Sequence, residues 1–275
     1  MSTSSGVSTT SGVTPQDLAN ALAALREGAP LVQCLTNIVV AGWTANVLLA
    51  VGAAPAMVDN PREAAEFAAI AGGLLVNLGT PYDETVRAMH LAVAGASSSG
   101  TPWVLDPVAA GALGWRTEVA QGLLHEARPA IIRGNASEIL ALAGGRGGRG
   151  VESVDTPEAA IVIAGDLAEQ QRSVIAVSGP TDHITDGDRL VRLSNGHPWL
   201  TRVTGVGCAL GALMAAFAAV VPDTVVAAAA ATALLTVAAD SAARESRGTG
   251  SFAVALLDHL SLLQPAELAA RVRIS

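Results

Sequence analysis

Short, continuously apolar runs recur along the first two thirds of the chain, each separated from the next by a stretch of helical character. The runs are Leu31–Cys34, Pro55–Val58, Leu74–Asn77, Trp103–Asp106, Ala130–Arg133 and Val174–Val177. Continuous rather than alternating apolar character means that both faces of a strand are covered, which a parallel sheet between helical layers requires. The intervening helices are predicted at Ile38–Val51, Arg62–Ala71, Asp83–Ala96, Glu118–Glu126, Ala136–Leu142 and Pro157–Gln170. Ahead of them Thr14-Pro15-Gln16-Asp17 supplies a helix start, followed by Leu18, Leu22 and Leu25 at helical spacing. The expectation is an α/β fold with a mainly parallel central sheet and helices on both faces. With 51% hydrophobic but only 3% aromatic residues, its core must be built from Ala, Val, Leu and Ile, which suits closely packed helices. No linker divides the pattern, so residues 15–275 read as a single domain behind a disordered tail, 1–14.

A net charge of −8 with no basic run argues against nucleic acid as a partner. Cys34 and Cys208 lie far apart and form no paired motif, which favours a reducing cytoplasm over a disulfide framework. The N-terminal stretch lacks the basic and apolar regions of a secretory signal. Gly205–Val221 and Thr224–Ala239 are almost free of charge, but they are alanine-rich and shorter than the roughly 20 strongly apolar residues that span a bilayer. They read as buried helices, and no membrane partner is expected. His183–Thr185 and Leu190–Leu193 around Asp186-Gly187-Asp188 predict a hairpin. Gly144–Gly150 reads as a solvated connector, and helices are expected at Thr224–Arg247 and Phe252–Leu263.

Function is expected at the carboxyl ends of the strands, where open parallel sheets collect their ligands. Polar residues and glycines close or follow each run there: Thr36-Asn37, Asp59-Asn60, Gly79-Thr80, Asp106 itself before Pro107-Val108, Gly134-Asn135 and Ser178-Gly179. Any one of them also suits a helix cap. The stretch Thr201–Gly211, T-R-V-T-G-V-G-C-A-L-G, reads as a strand or hairpin handing over to a helix. Amides of Gly205, Val206, Gly207 and Cys208 would form an anion hole at that helix start. Cys208 falls in the first turn, where a thiol of pKa ~8.5 is expected to be lowered.

With Arg133-Gly134-Asn135-Ala136-Ser137-Glu138, Asp106-Pro107-Val108 and Thr204-Gly205-Val206-Gly207-Cys208 in one chain, the sequence resembles the hydroxyethylthiazole kinases, thiamine-salvage members of the ribokinase-like fold. The likeness runs from about Pro30 to Leu257. It includes Leu35–Asn37, Thr44–Asn46, Gly52–Met57, Asn77–Thr80 and the Asn195-Gly196-His197 turn in order. The resemblance implies phosphorylation of 4-methyl-5-(2-hydroxyethyl)thiazole by ATP with Mg²⁺, and a homotrimer with sites at subunit interfaces. It places Met57 and Gly205 on the substrate side, Arg133 and Ser178 at ATP, and Asn135 and Glu138 near the metal, partly through water. Cys208 stands where most ribokinase-like kinases have an aspartate base, so it either accepts the hydroxyl proton or only orients the alcohol. Gln33 stands where the family more often has histidine, Ala109 replaces a glycine after Asp-Pro-Val, Ser178 replaces a common threonine and Gly211 a small hydroxyl residue. Gln33 and Ala109 leave the alcohol open, and a kinase for a pyrimidine alcohol or a non-catalytic nucleotide-binding protein are the other readings. No G-x-G-x-x-G follows the first strand, which disfavours a dinucleotide oxidoreductase.

Overall fold

The computed structural model describes residues 12–144 and 157–275. Helix α1 (Pro15–Gly28) starts from a capping box in which Thr14 accepts from Asp17 N–H and the Asp17 carboxylate accepts from Thr14 N–H. Of the expected tail, residues 1–11 lie outside the described residues, while Val13 is already buried against the core. Strand and helix then alternate as the apolar rhythm demands: β1 (Leu31–Leu35), α2 (Ala41–Val51), β2 (Ala54–Ala56), α3 (Ala64–Ile70), β3 (Gly73–Asn77), α4 (Asp83–Ser99), β4 (Trp103–Asp106), α5 (Gly114–Glu126), β5 (Ile131–Asn135), α6 (Ala136–Gly144), α7 (Pro157–Gln171) and β6 (Val174–Ser178). The connector expected at Gly144–Gly150 falls outside the described residues beyond Gly144.

The sheet has the order β2-β1-β3-β4-β5-β6-β7-β8. Its first six strands are parallel, and the predicted hairpin, β7 (Asp182–Thr185) and β8 (Leu190–Leu193), is added antiparallel. Alternate residues of one strand point to opposite faces. Val32, Cys34 and Leu75 enter a core shared with α1, α2, α8 (Val206–Ala218), α9 (Thr224–Glu245) and α10 (Thr249–Leu262). Leu74, Val76 and Leu105 enter a second core with α3, α4, α5, α6 and α7. The fold is therefore the expected α/β sandwich with helices on both faces.

Three local expectations are corrected. The segment before Gly205 is a short 3-10 helix, Pro198–Arg202, not a strand: Pro198 fixes its first turn and His197 Nδ1 accepts from Trp199 N–H. Helix α5 begins four residues earlier than Glu118, at Gly114, without a side-chain cap. A last helix, α11 (Pro265–Arg271), was not anticipated, and beyond it Ile274 bridges Leu193 at the β8 edge. Among the described residues one helix, α9, is long and apolar enough to cross a membrane, and 89% of its apolar window is buried inside the protein.

Candidate active site

Helix α8 determines where the site lies. Gly205, its N-cap, has φ +88°, a left-handed conformation that side chains adopt at a cost, and a Cβ there would come within 2.6 Å of Val40 Cγ1. The first backbone bond of the helix runs from Ala209 N–H to Gly205 C=O (2.8 Å). The amides of Val206, Gly207 and Cys208 thus stand outside the helical ladder, as the first N–H groups of any helix do. Gly207 and Gly211, one turn apart, let the helix lie flat on the sheet. A Cβ on Gly207 would reach within 3.2 Å of Arg133 Nη1, and one on Gly211 within 2.9 Å of Leu75 Cδ1.

Beneath this helix start, side chains from successive strand ends join in one hydrogen-bonded row that follows the order of the sheet. Beyond β1, Asn37 donates its amide to Asn77 Oδ1 (2.9 Å) and to Cys208 Sγ (3.4 Å). At the end of β3, Asn77 donates to Asp106 Oδ2 on β4 (2.7 Å). Arg133 on β5 donates Nη1 to Asp106 Oδ2 (3.3 Å) and to Gly207 C=O (2.9 Å), and Nη2 to Ser178 Oγ at the end of β6 (2.8 Å). The glycine of the Asn77–Thr80 motif has a steric reason: a Cβ on Gly79 would overlap Asn37, 2.6 Å from its Cβ.

The electrostatics follow from burial. Asp106 and Arg133 form an ion pair, with side chains 1% and 9% exposed. Burial pushes the Asp106 carboxyl up, while the Arg133 charge and the Asn77 amide pull it back. Burial alone would weaken the charge on Arg133, but the carboxylates of Asp106 and Glu138 outweigh it and hold the guanidinium protonated. Cys208 behaves contrary to the sequence expectation. Burial, and then the charge of Asp106, push its thiol up, and the amides of Asn77 and Asn37 only partly offset this. The helix start is outweighed because the thiol sits in a half-buried pocket beside a carboxylate.

Asp106, Arg133, Asn135, Glu138 and Gly205–Cys208 line one cavity of about 350 Å³, closed on the far side by Leu200, Thr201 and Val203. Two buried polar atoms of the central pair, Asp106 Oδ1 and Arg133 Nε, have no hydrogen-bond partner within the protein. Other buried atoms share this state, among them Trp103 Nε1 in the core, but these two belong to residues that line the cavity. Asn135 and Glu138, expected at a metal, form a reciprocal capping box for α6: Glu138 N–H donates to Asn135 Oδ1 and Asn135 N–H to Glu138 Oε2 (both 2.9 Å). Glu138 Oε1 also accepts from Ala109 N–H (2.9 Å), and Ala109 stands at φ +64°, a left-handed conformation that favours glycine.

Of the expected site residues, Arg133, Asn135, Glu138 and the four from Gly205 to Cys208 meet around the cavity, and Ser178 joins through Arg133. Met57 lies outside the lining, half-buried beyond the short strand β2 and packed against the α1/α8 core. Asn37, Asn77 and Asp182 belong to the arrangement without having been named as site residues. Asp182 accepts from Gly179 N–H (3.1 Å) just beyond Ser178, and burial pushes its carboxyl up to about 6. The signal for Asn37 and Asn77 was present in the motifs Leu35–Asn37 and Asn77–Thr80. For Asp182 there was none, because it opens a strand.

A helix start with free amides over a buried Arg–Asp pair, at the carboxyl ends of a parallel sheet, is an arrangement suited to phosphoryl transfer. A ribokinase-like superfamily protein from Enterococcus faecalis shares the fold, superposing with a TM-score of 0.64 at 14% identity and covering 90% of this chain and 94% of that one. The profile of the hydroxyethylthiazole kinase family matches residues 22–266, and the chain belongs to that family. The hydroxyethylthiazole kinase of Cutibacterium acnes is 57% identical over 255 residues, 92% of each chain. That of Clavibacter sepedonicus is 56% identical over 258 residues, 94% of each. The structure of the hydroxyethylthiazole kinase protein from Pyrococcus horikoshii has a TM-score of 0.88 at 36% identity and covers 94% of this chain and 98% of its own.

Proposed function

We propose that this enzyme transfers the terminal phosphoryl group of ATP to the primary hydroxyl of 4-methyl-5-(2-hydroxyethyl)thiazole, a step of thiamine salvage. The observation that carries the reading is the row Asn37–Asn77–Asp106–Arg133–Ser178 lying under the free amides of α8. Phosphoryl transfer through a loose transition state asks for positioning and charge neutralisation more than for covalent help. The amides of Val206, Gly207 and Cys208 receive the phosphate oxygens as charge spreads onto them. Arg133 holds ATP from below, its fork tied to Asp106 and Ser178 and therefore pre-aimed.

Oxygen donors suit Mg²⁺. The unpartnered Asp106 Oδ1 and the cavity-lining carboxylate of Glu138 fit that ion, with Asn135 holding Glu138 in place. Mg²⁺ supplies charge neutralisation on the ATP phosphates when bound. Cys208, its thiol pushed up by burial and by Asp106, stays protonated at neutral pH and so is not free to accept the hydroxyl proton. Its role is to orient the hydroxyl, with Asn37 donating to the sulfur. Gly205 faces the thiazole from the cavity, and Met57, outside the lining within one chain, meets it as a polarizable wall where subunits are expected to join.

A subunit interface beside the site, as the expected homotrimer needs, is supported by Ile38, Val39, Tyr82 and Leu113, apolar side chains exposed on the loops after β1, β3 and β4. A cytoplasmic setting is supported by two free thiols and an ATP-dependent reaction. Turnover of the thiazole alcohol and of hydroxymethylpyrimidine with ATP and Mg²⁺ tests the assignment: an active pyrimidine alcohol with an inert thiazole would overturn it. Cys208→Ala should retain a measurable kcat at neutral pH, whereas complete loss would restore the base role.

A further inference from the structure

Gln33 is fully buried in the middle of β1, a strand otherwise built of apolar side chains. Its amide Nε2 donates to two carbonyls of the neighbouring connection, Val58 C=O (2.9 Å) and Ala64 C=O (3.1 Å). Its own carbonyl, Oε1, is buried without a partner within the protein. An apolar residue of the same size would avoid that unsatisfied acceptor, so packing alone gives no reason for an amide here. The two donor bonds are what distinguish it.

They fasten a segment with few other restraints. Strand β2 is three residues long, contains Pro55, and lies at the edge of the sheet, bonded on one side only. Gln33 lies opposite Ala56 in the register, so the chain leaves the ladder at Met57, and the next carbonyl is the one that Gln33 grips. The second bond ties the same amide to the first residue of α3. The direction in which Met57 leaves the sheet is thereby set from β1.

We infer that Gln33 is a positioning residue for alcohol specificity, bracing the Met57–Val58 connection so that Met57 forms a fixed wall of the thiazole site. The inference rests on the proposed placement of Met57 against the thiazole. A histidine at this position has one ring N–H facing a given side and can satisfy one of the two carbonyls, so the brace would be looser.

Gln33→Met keeps the volume and removes both donors. In steady-state assays its KM for the thiazole alcohol should rise three- to tenfold while the KM for ATP stays within twofold. Relative kcat/KM for the homologue bearing ethyl instead of methyl on ring C4 should rise as the wall loosens. Gln33→His should fall between the two and serves alone if Gln33→Met does not fold. Folded variants with both KM values unchanged, or with both raised in step, would overturn the brace. Met57→Ala separates the two ideas. If it leaves the alcohol KM unchanged while Gln33→Met raises it, the placement of Met57 is wrong and the inference falls with it, Gln33 then acting on the site through another part of the connection. If Met57→Ala raises it and Gln33→Met does not, the brace is wrong.

Discussion

Replacing Gly73 by alanine should damage both stability and catalysis, through one backbone contact. Gly73 opens β3 in the interior of the sheet, directly under the carboxyl-terminal part of α8 at Ala215. A Cβ built there would stand 3.0 Å from the carbonyl carbon of Ala215 and closer still to its oxygen. Carbon–carbon contacts are comfortable at about 3.5–4.0 Å, so helix and strand must separate by roughly 0.5–1 Å. Neither side is a flexible side chain, which puts the cost at the upper end of overpacking, about 3 kcal/mol. For a domain of this size that corresponds to a fall in Tm of roughly 6–12 °C. Cys208 lies two turns nearer the start of the same helix, about 10 Å along its axis. A shift there of even half an ångström misaligns the amides against the transferring phosphoryl, and a misplacement of about 1 Å can cost 100-fold. The expected loss in kcat/KM is therefore about 10- to 100-fold. Thermal unfolding and steady-state kinetics read the two effects, with Gly165→Ala as control. That residue lies within α7 with no atom within 4 Å of an added Cβ, so the substitution should stabilise by about 1 kcal/mol or less and leave kcat/KM alone. A Gly73→Ala protein melting within about 2 °C of wild type would refute the packing argument. One that melts low with intact kcat/KM would refute the link from packing to the site.

Three further outcomes are expected. The Asp182 carboxyl is raised by burial from the ordinary 3.8 to about 6, so its favourable contribution is present below pH 3.8 and lost as pH rises through 6. Asp182→Asn keeps an acceptor for Gly179 N–H, and its stability relative to wild type should improve by roughly 2–3 kcal/mol between about pH 4 and pH 7 in denaturant titrations; a pH-independent difference would contradict this. Ala109→Gly should relieve the left-handed backbone at φ +64° and stabilise by about 0.5–1 kcal/mol, read from the denaturant midpoint, and a loss would show that Ala109 is unstrained. Cys34 is buried with its thiol pushed up to about 12, so alkylation of the native protein reports Cys208 alone. Its rate should still climb with pH beyond the range in which a free thiol levels off, and an early plateau would show the thiol lowered after all.

Much of the fold was legible because apolar runs flanked by polar ends admit few other arrangements. Trp103–Asp106 and Leu190–Leu193 match the observed strands to the residue. Helix starts were less legible where no polar cap marks them: α2 begins at Ala41 rather than Ile38, and Leu113 leads into α5 with no side-chain bond. At the site, the residue types at the strand ends were readable, but their pairing was not. Asn77 meets Asp106, and Arg133 meets Ser178, because β3, β4, β5 and β6 are neighbours in the sheet, an order that no local pattern encodes. The direction of the Cys208 shift was missed because a helix start is visible in sequence and the adjacent Asp106 carboxylate is not.

Helix α9 has a consequence for biosynthesis. As it leaves the ribosome it is a 22-residue segment with the length and mean apolarity of a membrane span, set apart in its own sequence only by its alanine richness and by the charges of Asp240, Arg244 and Glu245 near its end. Its discrimination comes from neighbours: α1 and α8 precede it, but α10 and α11 pack on it from the carboxyl side. A nascent chain halted before Thr249 would present that flank to chaperones, proteases or lipid. The closing helices lie apart from the cavity lining, yet they complete the shell that makes a greasy helix an ordinary core element.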